Sequence, residues 1–159
     1  MLLRERAWDV MRTDMATVSE DMSLRDVAKV LRAAMKERGH RACAVVLSET
    51  GGFKGVVTAW WLLLYMEQCA LKDAPRLGAG REGDDAFRTM CRKCFSVRAG
   101  EMVERDVPVV KPQDPLFVVL GAMLSSRRRW AVVMEGGKAL GLIAAEDVFM
   151  QLDFDDAEA

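Results

Sequence analysis

The sequence predicts an α+β fold built from two β-α-β-β-α repeats. A series of motifs occurs twice in the same order, apolar residues recur at helical spacing within each copy, and a Gly-Gly turn follows a Val-rich strand in both. Matching residues lie 92 positions apart at the start of the copies, Met11 and Val103, and 86 apart near their end, Gly55 and Gly141. The second copy is therefore shorter by a few loop residues.

The first copy opens with a short strand at residues 17–19 and continues into a helix. Six apolar residues at helical spacing predict that helix: Leu24, Val27, Ala28, Leu31, Ala34 and Met35. Ser23 with Asp26 three residues later is a capping-box pattern, and Gly39 suits the end of the helix. Two strands and a second helix should follow, at residues 43–47, 53–57 and 59–70.

The second copy repeats these elements after a strand that starts at Val109. Its first helix presents the same apolar face, made of Leu116, Val119, Leu120 and Met123. Asp114 can cap that helix, and Pro115 suits its first position, where a missing N–H costs nothing. The strands and the last helix are predicted at residues 131–134, 139–143 and 145–152.

Neither copy is expected to bury enough apolar surface to be stable alone, since each has only about 55 to 60 residues. We therefore expect the two repeats to pack sheet to sheet with pseudo-twofold symmetry. The predicted divisions are repeat 1 at 1–70, repeat 2 at 98–152 and an acidic tail at 153–159. A linker at 71–97 consists of a Gly-rich loop at 75–84 and a helix at 85–95.

Composition limits the function classes. Hydrophobic residues make up 51% and charged residues 30%, which is typical of a globular protein, and the net charge of −1 argues against a nucleic-acid partner. The longest apolar stretch, residues 56–66, is too short for a membrane span. The early charges at the N-terminus do not fit a secretory signal, so a cytoplasmic location is expected. A single His and a single Tyr make an enzyme unexpected.

Two segments carry a resemblance to a known family. They are Gly55-Val-Val-Thr58-Ala-Trp-Trp61 and Gly141-Leu-Ile-Ala144-Ala-Glu-Asp147. In register with the paired helices, they make the chain resemble a tandem pair of CBS domains, a Bateman module, over nearly its whole length. The resemblance implies a regulatory, non-enzymatic module with two clefts between the repeats for AMP, ADP, ATP or S-adenosylmethionine. It also implies a homodimer, and a separate effector protein would receive the signal.

The family's motif places a Thr and an Asp three residues apart at a strand-to-helix turn, and this chain divides them between its copies. The Thr can cap the helix, where free N–H groups suit a phosphate, and the Asp can accept ribose hydroxyls. Thr58 is present, but Trp61 stands where the Asp is expected. Asp147 is present, but Ala144 stands where the Thr is expected. A Thr-x-x-Asp pair is also a plain capping box, so spacing alone does not decide between the two readings.

In the first cleft, the helix start at Thr58 together with His40 and Arg41 would bind a phosphate. Gly55 would allow a close approach of the backbone. Trp61 can stack on an adenine or fill the pocket, and filling is the better expectation for a large aromatic beside an apolar helix.

The second cleft would use Asp147 for ribose, with Gly141 at the strand end. The run Arg127-Arg128-Arg129 would offset phosphate charge, although a solvated turn is the more common role of such a run. We expect the second cleft to be the better site.

Two alternatives remain open. A degenerate pair could act as a ligand-free dimerisation or scaffold module, because the motif is divided and Trp61 is bulky. Cys91-x-x-Cys94 could serve metal or redox chemistry, but a structural zinc site needs four ligands. Inward packing of these two cysteines on one helix face is favoured, and four cysteines do not predict a disulfide framework. No metal or cofactor is expected.

Overall fold

The structure is a computed structural model that describes residues 2–39 and 42–155. Its regular elements are α1 (Ala7–Val10), β1 (Ala16–Ser19), α2 (Leu24–Arg38), β2 (Ala44–Leu47), β3 (Phe53–Val57), α3 (Ala59–Cys69), α4 (Arg81–Cys94), β4 (Val109–Val110), α5 (Leu116–Ser126), β5 (Trp130–Glu135), β6 (Lys138–Ala144) and α6 (Ala145–Phe149). Two 3₁₀ helices, Leu71–Arg76 and Ala99–Glu101, flank α4. Both copies follow the order β-α-β-β-α, which confirms the predicted α+β class.

The chain divides into two compact units. The first-repeat unit consists of residues 16–105, and the second-repeat unit consists of the described residues up to Met15 together with those from Asp106 onward. In sequence, residues 11–14 and 103–106 are the matching segments that lead into the repeats; we call them the leading segments. The first leading segment belongs to the second-repeat unit, whereas Val103 to Arg105 of the second leading segment belong to the first-repeat unit.

The sheet of the first-repeat unit has the order β1-β2-β3, with β1 parallel and β3 antiparallel to β2. Helix α2 is the crossover that a parallel β1–β2 pair requires. Its buried side chains are Leu24, Val27, Leu31 and Ala34, the stripe that the helical spacing predicted. They form one core with Val18, Val46 and Val57 of the three strands.

The sheet of the second-repeat unit has the corresponding order β4-β5-β6 and the same strand directions. Leu116, Val119 and Met123 of α5 are buried against Val133 and Ile143 of the sheet. Ala7 of α1 is fully buried in the same core.

A leading segment extends each sheet by one antiparallel bridge beside the last strand. In the second-repeat unit, Arg12 N donates to Leu142 O at 2.8 Å and Leu142 N donates to Arg12 O at 3.0 Å. In the first-repeat unit, Val56 and Glu104 exchange the equivalent bonds at 3.0 and 2.9 Å. The leading segments therefore lie directly beside the strand-to-helix turns.

Strand boundaries lie within one residue of the predictions, and the main differences concern helices. Pro115 is the cap of α5 rather than its first helical residue, and the carboxylate of Asp114 accepts a hydrogen bond from Lys111 N at 2.8 Å, so it caps the preceding turn. Helix α4 begins four residues earlier than predicted, since acidic residues in its first turn favour a helix start. Helix α6 ends at Phe149 instead of 152.

Within the described residues, no helix has the length and apolar character that crossing a membrane requires.

Candidate functional site

Thr58 caps the helix that follows the last strand of the first-repeat unit. Its backbone is extended, and its hydroxyl accepts a hydrogen bond from Trp61 N at 3.1 Å. This is the N-cap geometry that Thr favours, and it confirms the capping role predicted for Thr58. Its role toward a ligand stays a prediction.

Trp61 occupies the position where the family's motif has an Asp, and its indole is already engaged. Nε1 donates to the carbonyl of Met102 at 2.6 Å. Both residues also line a surface cavity of about 480 Å³, together with Leu64, Tyr65, Glu67 and Gln68. The described lining therefore offers one carboxylate and no cation, which is a poor environment for a phosphate.

Asp147 occupies the first turn of α6 in the second-repeat unit, and it forms a two-point ion pair with Arg12. Arg12 Nη2 lies 2.7 Å from Oδ1, and Arg12 Nε lies 3.1 Å from Oδ2. Oδ2 also accepts a hydrogen bond from Ala144 N at 3.0 Å, so the carboxylate itself caps the helix where a Thr is missing. The Asp147 side chain is only 11% exposed.

The hydrogen bond to Asp147 raises the pKa of the Arg12 guanidinium, an effect that partial burial opposes and nearby carboxylates support. An arginine is protonated throughout the physiological range in any case. The guanidinium therefore keeps its charge, and a competing partner is needed to remove Arg12 from Asp147.

Close packing against backbone explains why glycine occupies positions 55 and 141, and no pattern in the sequence indicates this packing. A Cβ on Gly55 would lie 2.6 Å from the carbonyl oxygen of Glu104, and one on Gly141 would lie 2.8 Å from that of Arg12. The close backbone approach that was expected for a ligand is thus made by the leading segment. Ligand contact by either glycine stays a prediction.

The arginine run lies between α5 and β5, beside the start of α6. Arg127 has a left-handed backbone with φ 53° at the end of α5. Arg128 Nη2 lies 3.8 Å from the carboxylate of Asp106, and Arg129 O accepts a hydrogen bond from Ala145 N at 2.8 Å. The fold therefore brings Arg129 and Asp147 to the same strand-to-helix turn. His40 and Arg41 lie outside the described residues.

Sequence reasoning missed the pairing of Arg12 with Asp147. The available signal was the alignment of the leading segments, in which Arg12 matches Glu104. The second-repeat unit thus has a cation beside Asp147, whereas the matching position of the first-repeat unit holds Glu104, whose backbone bridges Val56.

The cysteines differ from expectation. Cys69 and Cys94 form a disulfide, whereas Cys43 and Cys91 are free thiols. The inward packing predicted for Cys91 and Cys94 holds for Cys94, which is 7% exposed, whereas Cys91 is half-buried. No group of residues suited to a metal ion occurs in the described parts of the chain.

Two three-stranded sheets, each with a crossover helix and a capped strand-to-helix turn, define a tandem-repeat module. The CBS domain model matches residues 7–60 and 99–153, which together make up more than half of the chain. The protein belongs to the CBS domain family. No significantly similar sequence was found among curated proteins.

Solved structures show the same fold. The CBS domain of a CBS domain containing membrane protein from Sphaerobacter thermophilus matches with a TM-score of 0.71 and 19% identity, covering 97% of this chain and 91% of that one. A conserved protein from Pyrococcus horikoshii matches with a TM-score of 0.66 and 16% identity, covering 99% and 100%. The CBS domain pair of protein MJ0100, in complex with 5′-methylthioadenosine and S-adenosyl-L-methionine, matches with a TM-score of 0.65 and 15% identity, covering 92% and 94%.

Proposed function

We propose that this protein is a regulatory CBS-pair module that binds an adenosine-type ligand (AMP, ADP, ATP or S-adenosylmethionine) and passes the binding event to a separate protein. Family membership supports the regulatory role, and the MJ0100 domain pair holds adenosine compounds. The observation that carries the proposal is the position of Asp147, a carboxylate in the first turn of α6 with the arginine run beside it.

The second-repeat unit is the better candidate for ligand binding. Asp147 can accept hydrogen bonds from a ribose, and Arg127 to Arg129 can offset a phosphate charge. Trp61 supplies no acceptor at the corresponding position of the first-repeat unit, and its N–H is already bonded to Met102. We therefore assign the ligand to residues around the start of α6.

Arg12 gives the proposed site a means of signalling. A ribose that binds Asp147 must compete with the guanidinium, which holds both carboxylate oxygens. Arg12 also bridges β6 through its backbone, so displacement of its side chain acts on the leading segment. A ligand shifts such an equilibrium only by its difference in affinity for the two states, and competition with Arg12 supplies that difference.

Calorimetry with AMP, ATP and S-adenosylmethionine tests the proposal. A ligand at a hundredfold excess over Kd stabilises the native protein by about 2.7 kcal/mol, which a thermal-shift assay detects easily. Asp147→Asn should weaken binding by about tenfold or more, and Arg12→Ala should tighten it, because charged hydrogen bonds contribute about 1.5 to 3 kcal/mol.

Glu146→Gln is the matched control, since Glu146 is the exposed neighbour of Asp147 and should bind ligand like the wild type. Equal affinity of wild type and Asp147→Asn would reject the assigned site. The absence of any response to these compounds at millimolar concentration would reject the function.

A second candidate function is a ligand-free dimerisation or scaffold module. The engaged indole of Trp61 favours it, as do exposed apolar side chains on α3 and α5: Trp60, Leu63, Leu64, Phe117, Val118 and Leu124. Both candidates predict a homodimer, and a monomer in sedimentation at micromolar concentration would contradict it. A dimer that binds none of the compounds above would favour the scaffold.

A further inference from the structure

The disulfide joins the last residues of two helices. Cys69 ends α3 and Cys94 ends α4, and their Cα atoms lie 5.7 Å apart, a separation that a disulfide spans without backbone movement. The 3₁₀ helix Leu71–Arg76 and α4 up to its last residue, Cys94, follow Cys69 in sequence. The bond therefore closes a loop that contains α4.

Noncovalent contacts also attach the last turn of helix α4. The Tyr65 hydroxyl donates to the carbonyl of Cys94 at 3.0 Å, and the Tyr65 and Phe95 rings stack with their centroids 6.0 Å apart. Cys94 is the one buried side chain of the helix. These contacts lie at the last turn, where the covalent bond adds to them and ties α4 to α3.

A small reductant can reach the disulfide. Cys69 and Cys94 line a surface cavity of about 350 Å³ together with Tyr65, Met90, Lys93 and Val97. Lys93 belongs to this lining, and a cation near the leaving sulfur stabilises the thiolate that forms when a disulfide is attacked. A small reductant therefore reaches the bond from Cys69, which is half-buried, rather than from Cys94, which is buried.

We propose that Cys69 and Cys94 form a reversible thiol–disulfide switch that holds α4 against α3 when oxidised and releases it when reduced by a cellular dithiol. One thiolate of the dithiol attacks a sulfur of the pair, breaks the Cys69–Cys94 bond and forms a mixed disulfide. The second thiol of the reductant then displaces the protein sulfur. Two electrons and two protons pass to the cysteine pair, and the dithiol becomes a disulfide.

Cys91 does not take part in the switch. It lies one helical turn before Cys94, with its sulfur 3.9 Å from that of Met66. Burial raises the pKa of the Cys91 thiol, so its thiolate is scarce near neutral pH and exchange with the neighbouring disulfide is slow. This makes Cys91 the matched control for the two switch cysteines.

Release of α4 reaches the rest of the first-repeat unit through Tyr65. This residue bonds to the end of α4 and also lines the cavity that contains Trp61 and Met102. Reduction is therefore expected to loosen the face of α3 that both cavities share. The inference does not depend on the proposed ligand, because its readouts are thiol status and proteolysis.

Differential alkylation and mass spectrometry of the full chain test the bond itself. After treatment with oxidised glutathione, the denatured protein should show alkylated Cys43 and Cys91 and a linked peptide pair that contains Cys69 and Cys94. Dithiothreitol should make all four cysteines reactive. Four reactive thiols under oxidising conditions, or a link through Cys91, would overturn the proposal.

Limited trypsin digestion tests the release of α4, which carries cleavage sites at Arg81, Arg88, Arg92 and Lys93. Reduction should raise the cleavage rate in this helix by about tenfold or more, and oxidised glutathione should restore the slow rate. Cys91→Ser should respond like the wild type, whereas Cys69→Ser should be cleaved rapidly in both states. If Cys69→Ser does not fold, the wild-type comparison decides alone. An equal cleavage rate of oxidised and reduced wild type would overturn the switch.

Discussion

The guanidinium of Arg12 holds both carboxylate oxygens of Asp147, a residue 135 positions further along the chain. The pair connects the leading segment to the first turn of α6, and the same carboxylate caps that helix through Ala144 N. One acidic side chain thus serves helix capping, attachment of the leading segment and, in our proposal, recognition of a ribose.

Arg12→Ala should destabilise the protein by about 2 kcal/mol, because it removes two charge-assisted hydrogen bonds from a carboxylate that is largely excluded from water. Urea unfolding followed by circular dichroism measures this change. Arg25→Ala, which alters an exposed arginine on α2, should change stability by less than about 0.5 kcal/mol. Equal stability of the two variants would contradict a structural role for the pair.

Gly141→Ala and Gly55→Ala should each destabilise by about 1 to 3 kcal/mol. The new Cβ would meet a backbone carbonyl oxygen of the leading segment, at 2.8 Å for Gly141 and 2.6 Å for Gly55, so backbone has to shift. Thermal unfolding of the two variants measures the cost.

Gly121→Ala is the control for this comparison. Gly121 lies within α5, and nothing lies within 4 Å of its added Cβ, so alanine should stabilise the helix by about 1 kcal/mol. Destabilisation by all three substitutions alike would show that close approach is not the cause.

Trp61→Phe should cost about 1 kcal/mol, since it removes the N–H that bonds to the Met102 carbonyl while keeping most of the ring. Trp60 precedes it on the same helix but is 68% exposed, so Trp60→Phe should leave the unfolding free energy unchanged. Chemical denaturation of both variants decides the point, and equal midpoints would count against an anchoring role for the Trp61 indole.

The sequence predicted the repeated order of elements because helix α2 and both central strands show strong local patterns. Ser23, Gly39 and the Val-rich strands each carry their signal within a few residues. The candidate site was less predictable, since the contacts that define it are not local. Arg12 pairs with Asp147, and Trp61 with Met102, across long stretches of chain that no periodicity connects. The disulfide escaped prediction for the same reason, as Cys69 and Cys94 lie on different helices.

Alkaline pH should destabilise the protein through Cys43, which is 4% exposed. Burial, with a smaller effect from the charge of Glu104, raises the pKa of this thiol far above its ordinary value of 9.0. The folded state therefore keeps the proton above pH 9.0, whereas the unfolded state loses it, so this contribution to stability is complete below 9.0 and falls as the pH rises.

Comparison of Cys43→Ala with the wild type isolates this contribution. Relative to the variant, the wild type should lose roughly 1 to 1.5 kcal/mol between about pH 8 and about pH 10, because each pKa unit corresponds to about 1.4 kcal/mol. Urea unfolding at the two pH values provides the measurement, and the change with pH separates the thiol's ionisation from the constant cost of the smaller side chain. If both proteins lost the same stability over this range, ionisation of Cys43 would not be the source of the alkaline effect.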